Sequence, residues 1–201
     1  MNKVLKFFAM GAMAAAFTLP SLAAEAGNLA LLPLINNVAA RDDLQQIYYD
    51  RAVEATKISQ TTDLVDGADY DKVLAKYTKN GVLPDQAACE AICRDANVDY
   101  VFCYQVDDLR SEDVMFDNNG EQDTYIILEG KTVSYDAATG KFKVNKIYSK
   151  DKIVYSLNAR YDIEGETFGN SVTRETKRLL GVKKVSIERP RISGAGLRGN
   201  R

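Results

Sequence analysis

Cys89, Cys93 and Cys103 carry the most reactive side chains in this sequence, and their spacing limits what they can do. Cys89 and Cys93 stand four apart on a predicted helix and so share one face. A bond between them inside a regular helix strains disulfide geometry. Cys103 falls in the middle of a predicted strand one connection later, where that helix must pack. Two readings stand side by side. A Cys93–Cys103 or Cys89–Cys103 bridge fits an oxidising compartment, and three buried thiols acting as small apolar groups fit as well. As metal ligands, three thiols with no imidazole leave a structural shell incomplete, so no metal or cofactor is expected.

Other motifs fail on spacing. Gly130-Lys131-Thr132 and Gly140-Lys141 each suggest a phosphate loop, which needs a glycine five positions ahead of its Gly-Lys pair. Those positions hold Tyr125 and Tyr135, both in predicted strand. Asp117-Asn118-Asn119-Gly120 suggests a calcium loop, yet with Gly120 in sixth place the first ligand would be Met115. Asp107, Asp108, Glu112 and Asp113 could chelate a cation loosely, and a solvated acidic loop that guards a sheet edge is the simpler reading. The chain has no histidine. That removes Ser-His-Asp and Cys-His nucleophilic catalysis, imidazole-held metals and the commonest general base near neutral pH. No catalytic residue is assigned, and the chain reads as a non-enzyme.

The elements that position these residues follow from hydrophobic period and punctuation. Leu29 to Ile35 is a continuous apolar run, as in a buried strand. Pro33 cannot donate to a ladder, so pairing is expected on one side only near it. Asp42 to Lys57 reads as a helix, with Asp42 and Gln45 resembling a capping box. Leu64-Val65 suggests a short strand. A second helix starts at a cap on Asp69 and stops at Asn80-Gly81. A third has Pro84 in its first turn and Asp85 at the positive end of its dipole. Val98 to Val106 is apolar on both faces and so central. After the acidic connection Asp107 to Asp123, Thr124 to Tyr135 and Lys141 to Ser149 form a hairpin turning at Gly140. Ile153 to Leu157 suggests one more strand. A last helix covers Thr167 to Leu180 and closes at Gly181, and Val185 to Ile187 suggests a short terminal strand. The predicted class is α/β (α+β): one mixed sheet with helices packed on it, in the order strand, three helices, strand, hairpin, helix.

Residues 1–24 have the three parts of an export signal. Lys3 and Lys6 precede the uncharged apolar run Phe7 to Leu19, and Pro20-Ser21 leads into small residues that a signal peptidase reads. The run is too short for a membrane span, which takes about 20 apolar residues. No cysteine follows it to accept lipid, so a released protein is expected. Residues 25–182 then form one α/β domain and residues 183–201 a basic, flexible tail. Lys183, Lys184, Arg189, Arg191, Arg198 and Arg201 against Glu188 give the tail a charge of +5. The body from Glu25 to Val182 has 18 basic and 27 acidic residues, a balance of −9. An acidic body argues against nucleic acid, which needs a basic face.

The apolar opening strand with its proline (LALLPLI), an amphipathic helix, and an Ala-rich helix running into Asn97-Val98-Asp99-Tyr100-Val101 together carry a family resemblance. Over residues 28–160 the chain resembles bacterial envelope domains. That group holds the amino-terminal domain of the translocation protein TolB, the lipoprotein activators of penicillin-binding proteins, and the curli secretion channel. The resemblance implies an α/β sandwich with a role built on protein contacts, and it transfers no catalytic residue. Those relatives often carry a lipid-modified cysteine, from which this chain departs.

The expected function is therefore that of an exported, periplasmic or secreted envelope protein, not an integral membrane one. It binds a protein partner or a cell-wall component, with Lys183, Lys184, Arg189, Arg191, Arg198 and Arg201 as contact residues. A periplasmic small-ligand module using tyrosines and the acidic loop is the alternative, and a carboxylate-based enzyme a further one.

Overall fold

A computed structural model describes residues 27–60, 62–79, 81–115, 122–153 and 162–182. The export signal, the centre of the acidic connection, the strand expected beyond Ile153 and the basic tail with its terminal strand lie outside these residues.

The apolar opening run divides at its proline. Strand β1 covers Gly27–Leu31 and β2 Ile35–Asn36, with Pro33 in the gap. Helix α1 (Leu44–Ser59) follows, then β3 (Thr62–Leu64), α2 (Ala68–Tyr77) and α3 (Gln86–Ala96). Three long strands come next, β4 (Tyr100–Met115), β5 (Gln122–Asp136) and β6 (Lys141–Ile153), and α4 (Ile163–Leu179) ends the described chain.

These strands make a single mixed sheet in the order β3-β1-β4-β5-β6, with β2 pairing to β4. The β1 strand is parallel to both neighbours, whereas β4, β5 and β6 form an antiparallel ribbon. The parallel half needs crossovers, and helices supply them. Beyond Pro33 the chain pairs on one side only, through β2 to β4, as a residue without an N–H dictates. The central place expected for Val98 to Val106 belongs to β4.

Alternate residues of the strands feed two cores. On one face Leu29, Phe102, Tyr104, Val106, Ile126 and Leu128 pack with Leu44 and Tyr48 of α1 and with Phe168 and Val172 of α4. The Tyr104 ring meets that of Phe168 edge-on at 5.2 Å between centroids, a favoured aromatic arrangement. On the other face Ala30, Val101, Cys103, Val133 and Tyr135 pack with Tyr70 and Leu74 of α2 and with Cys89, Ile92 and Cys93 of α3.

Several boundaries differ from the sequence expectation for local reasons. The capping box at the start of α1 does not form. Asp43 holds the cap position without bonding the helix, because its carboxylate accepts from Arg41 Nε and Nη2 at 2.9 and 2.8 Å. Gln45 is drawn away as well, its Oε1 accepting from the Leu34 N–H at 3.2 Å. Helix α2 stops at Tyr77, ahead of Asn80-Gly81, since Thr78 is extended and folds its hydroxyl back onto the Leu74 carbonyl at 3.0 Å. Asp85 proves to be the cap of α3, accepting from the Ala88 N–H at 2.8 Å. The largest departure is Asp107–Met115. Expected as an acidic loop, these residues continue β4 and pair with β5 as far as Met115 opposite Gln122.

Candidate partner-binding surface

A β-bulge at Val106–Asp108 shapes the outer half of the ribbon. One extra residue on β4 exchanges the residues that point to each side. Before it Phe102, Tyr104 and Val106 point toward α1 and α4, and after it Leu109 does so. Asp108, Arg110 and Glu112 are thereby aimed at the opposite face. Gly130 lies across from the bulge, and a Cβ there would come within 2.3 Å of the Gln105 carbonyl oxygen. Only a glycine allows that approach.

Asp107, the extra residue, gathers the polar groups around the bulge. Its carboxylate accepts from Asn37 Nδ2 at 3.0 Å and from Gln105 Nε2, and it lies 4.0 Å from Lys131 Nζ. Along the same face Arg110 pairs with Asp108, and Lys150 pairs with Glu112 at 3.6 Å while lying over the Tyr125 ring. The acidic residues read as a loop are thus strand residues: Asp107 and Glu112 face lysines across the ribbon, Asp108 pairs along its own strand, and Asp113 accepts from the Thr124 hydroxyl at 2.7 Å.

The opposite face of the ribbon is closed by α4. Tyr104 and Ser171 share a hydroxyl–hydroxyl bond of 3.0 Å, and Arg174 donates to Ser171 at 3.2 Å. Glu175 is buried, with Arg174 and Arg178 on its two oxygens at 3.1 and 2.7 Å. At the other end of the helix Arg41 contacts Asp162, the cap residue of α4, and Glu164, and Glu164 also accepts from Ser111 of β4 at 2.6 Å. The hydrogen bond to Asp43 is the main influence raising the Arg41 pKa, assisted by Asp162 and opposed by partial burial.

No described helix covers the outer part of the other face. Its apolar packing on the α2–α3 side ends at Val133, Tyr135 and the partly buried Phe142. Beyond them, Val144 and Tyr148 of β6 keep 54% and 66% of their surface exposed. Lys146, between those two, stands opposite Lys131. In all, β6 carries Lys141, Lys143, Lys146, Lys150 and Lys152 against a single acid, Asp151. Lys141, Lys143 and Lys146 join no ion pair among the described residues. The sequence reading missed these residues. Their signal was there, as lysines alternating with Phe142, Val144 and Tyr148 at the strand period of two.

The three cysteines come together where the strand expected to meet the helix does meet it. Cys89 and Cys93 face Cys103 across the core between α3 and the sheet, and all three are present as buried thiols. Burial raises their pKa values from an ordinary 9.0 to about 12 for Cys89, about 11 for Cys93 and about 12 for Cys103. Thiolates are the nucleophilic form, so these groups are inert at neutral pH. Among the described residues, no three Cys, Asp or Glu side chains are grouped to hold a metal ion. The basic residues Lys183 to Arg201 lie outside the described chain.

A concavity of about 120 Å³ lies beside the opening strand, lined by Leu32, Pro33, Thr78, Val82 and Cys103, and two more lie elsewhere. One, about 50 Å³, lies between α4 and the β5–β6 turn, lined by Phe102, Lys141, Lys143, Glu175 and Arg178. It is far below the roughly 300 Å³ at which small-molecule pockets begin. The other, about 490 Å³, is an open groove between α1 and α4 bearing Asp50, Glu54, Asp162 and Glu166. No described helix is long and apolar enough to cross a membrane.

No protein-family model and no curated protein sequence matches the chain. Solved structures do. A hypothetical protein from Chlamydia trachomatis, CT253, matches with a TM-score of 0.51 at 10% identity, covering 77% of this chain and 97% of that one. The fold described above therefore recurs in that protein. The lipoprotein GNA1162 from Neisseria meningitidis matches with a TM-score of 0.41 at 13% identity, over 74% of this chain and 97% of that one. The LpoB carboxy-terminal domain from Escherichia coli gives a TM-score of 0.37 at 10% identity, over 65% and 84%.

Proposed function

We propose that this chain is an exported, non-catalytic protein of the bacterial cell envelope that binds another envelope protein through the outer β4–β6 ribbon. A single observation carries the reading. One face of the ribbon is held down by α4, while the other presents exposed Val144 and Tyr148 among lysines. Large apolar side chains left in water beside Lys146, which joins no ion pair among the described residues, are a feature of interaction surfaces. The export signal in residues 1–24 supports the compartment, and the raised thiol pKa values speak against nucleophilic chemistry. The basic tail is a second contact in this proposal, with Lys183, Lys184, Arg189, Arg191, Arg198 and Arg201 reaching acidic groups of the partner.

The test uses a photoreactive amino acid placed at Tyr148 in the full-length chain, produced in a bacterial host. A discrete cross-linked envelope protein is expected from position 148 and none from position 87 on the exposed side of α3. Deleting residues 183–201 should weaken the cross-link. No cross-link from position 148, together with a small molecule that raises the melting temperature, would replace this reading with the ligand-module one.

A further inference from the structure

We infer that the free edge of β6 takes up an extended, acidic segment of a partner protein as an added strand. The inference rests on the protein-binding role proposed above and specifies its chemistry.

Among the described residues β6 pairs with β5 alone, along all 13 of its residues. Among the described residues, the backbone N–H and C=O groups on its outer side meet no further strand, which leaves an edge that an added strand can use. An extended peptide that adds there gains main-chain hydrogen bonds, and alternate side chains give selectivity. Both ingredients are present. Toward the uncovered face β6 offers Val144, Lys146, Tyr148 and Lys150 in sequence, apolar and basic by turns. Toward the α4 side it offers Lys141 and Lys143, which border the small concavity beside Glu175 and Arg178.

Charge decides the occupant. Lys141, Lys143 and Lys146, which join no ion pair among the described residues, select an acidic strand. Two copies of β6 brought edge to edge would set one lysine row against another, and like charges across a strand pair are unfavourable. The chain's own tail, with a charge balance of +5, is a poorer match for the edge on the same ground. Lysines on an edge can also serve simply to prevent aggregation. Guarding alone leaves Val144 and Tyr148 without a purpose, at 54% and 66% exposure between those lysines. A guarded edge is also usually short, whereas this one is 13 residues long.

The probe is a fluorescent alternating Glu-Val peptide of about eight residues, long enough to match a strand, added to residues 25–201. Binding should weaken about tenfold for a Lys-Val peptide and for Lys141→Glu/Lys143→Glu/Lys146→Glu, as like charge now meets like. It should weaken similarly when alternate amides of the peptide are N-methylated, because an added strand needs its N–H groups. Peptide binding should slow hydrogen exchange in β6, and the melting temperature of the triple variant confirms that it is folded. Equal affinity for the N-methylated peptide overturns strand addition, as does undiminished binding to the folded triple variant. Capture by vesicles of anionic lipid with no peptide binding also overturns it, in favour of a membrane surface. If the peptide fails while the cross-link from position 148 persists, only this inference falls. If both fail, the protein-binding reading falls with it.

Discussion

Lys131 of β5 and Lys146 of β6 stand directly opposite each other on the face of the ribbon that no described helix covers. Like charges in that relationship are destabilising by a few tenths of a kcal/mol. Lys131 has Asp107 at 4.0 Å for partial relief, and Lys146 has no ion pair among the described residues. Lys146→Glu should therefore stabilise the fold by about 0.5 kcal/mol, or about 1–2 °C in melting temperature. The same variant should bind the acidic peptide less well. Calorimetry and peptide titration on one sample check both, and a variant that loses stability would contradict the pairing.

Gly130→Ala tests the bulge. The added methyl would meet the Gln105 carbonyl oxygen at 2.3 Å and the Tyr104 ring at 3.3 Å, both well fixed. Overpacking of that kind costs about 2 kcal/mol, a fall of roughly 4–8 °C. The loss should be much smaller for Gly140→Ala, whose Cβ meets nothing although its φ of +64° strains an alanine. Comparable losses at the two sites would remove the special role assigned to the bulge.

Arg41 joins the start of α1 to the cap of α4 across 121 residues of sequence. Arg41→Ala should cost about 1–2 kcal/mol, since charge-assisted bonds to three carboxylates vanish together. Asp162→Ala should cost about the same, because it also removes the acceptor for the Gly165 N–H at 3.0 Å. Because the residues share a contact, the double variant should cost less than the two losses added together. Denaturant unfolding of the four proteins measures the coupling, and strict additivity would sink it.

The buried thiols predict alkaline weakening. Each is held protonated in the fold, with its pKa raised from 9.0 to about 11 or 12 by burial. Above about pH 9 the unfolded chain releases protons that the folded chain retains, so stability falls as pH rises toward 11–12. Replacing Cys89, Cys93 and Cys103 by alanine should make that fall shallower. Some slope should persist, as burial also raises the phenols of Tyr48, Tyr70 and Tyr104. Thermal melts between pH 8 and 10.5 give the comparison, and an unchanged slope would contradict it.

The same cysteines predict a redox form. Non-reducing mass spectrometry should show three thiols, and a bridge from Cys103 to Cys89 or Cys93 would overturn that expectation. A Cys89–Cys93 bond would contradict α3, on which both lie.

What the sequence disclosed followed from local pattern. Apolar Leu29–Leu31 and Tyr100–Val106, the cap at Asp85 and the turn at Gly140 are decided by neighbours in the chain. The misread stretches were decided by distant residues. Asp107–Asp113 looks like a solvated loop until Lys131 and Lys150 lie across from it. The cap expected at Asp42 falls to Asp43, whose carboxylate is held instead by Arg41, itself anchored on Asp162. The candidate surface was obscured for a related reason. Lys141 to Lys152 reads as any hairpin arm, and its place at the rim of the sheet depends on the order of all the strands.

The split between parallel and antiparallel halves also sets the order in which the sheet can assemble. The ribbon needs only short turns, so its contacts close early in a folding search. The β1 strand must instead wait for β4, with 71 residues separating Asn28 from its partner Asp99. A chain emerging amino-terminus first thus presents an apolar strand long before β4 arrives beside it. In that interval the sticky segment is Leu29 to Ile35, and Pro33, which interrupts the strand in the finished sheet, is also the residue that keeps it from pairing with a stranger.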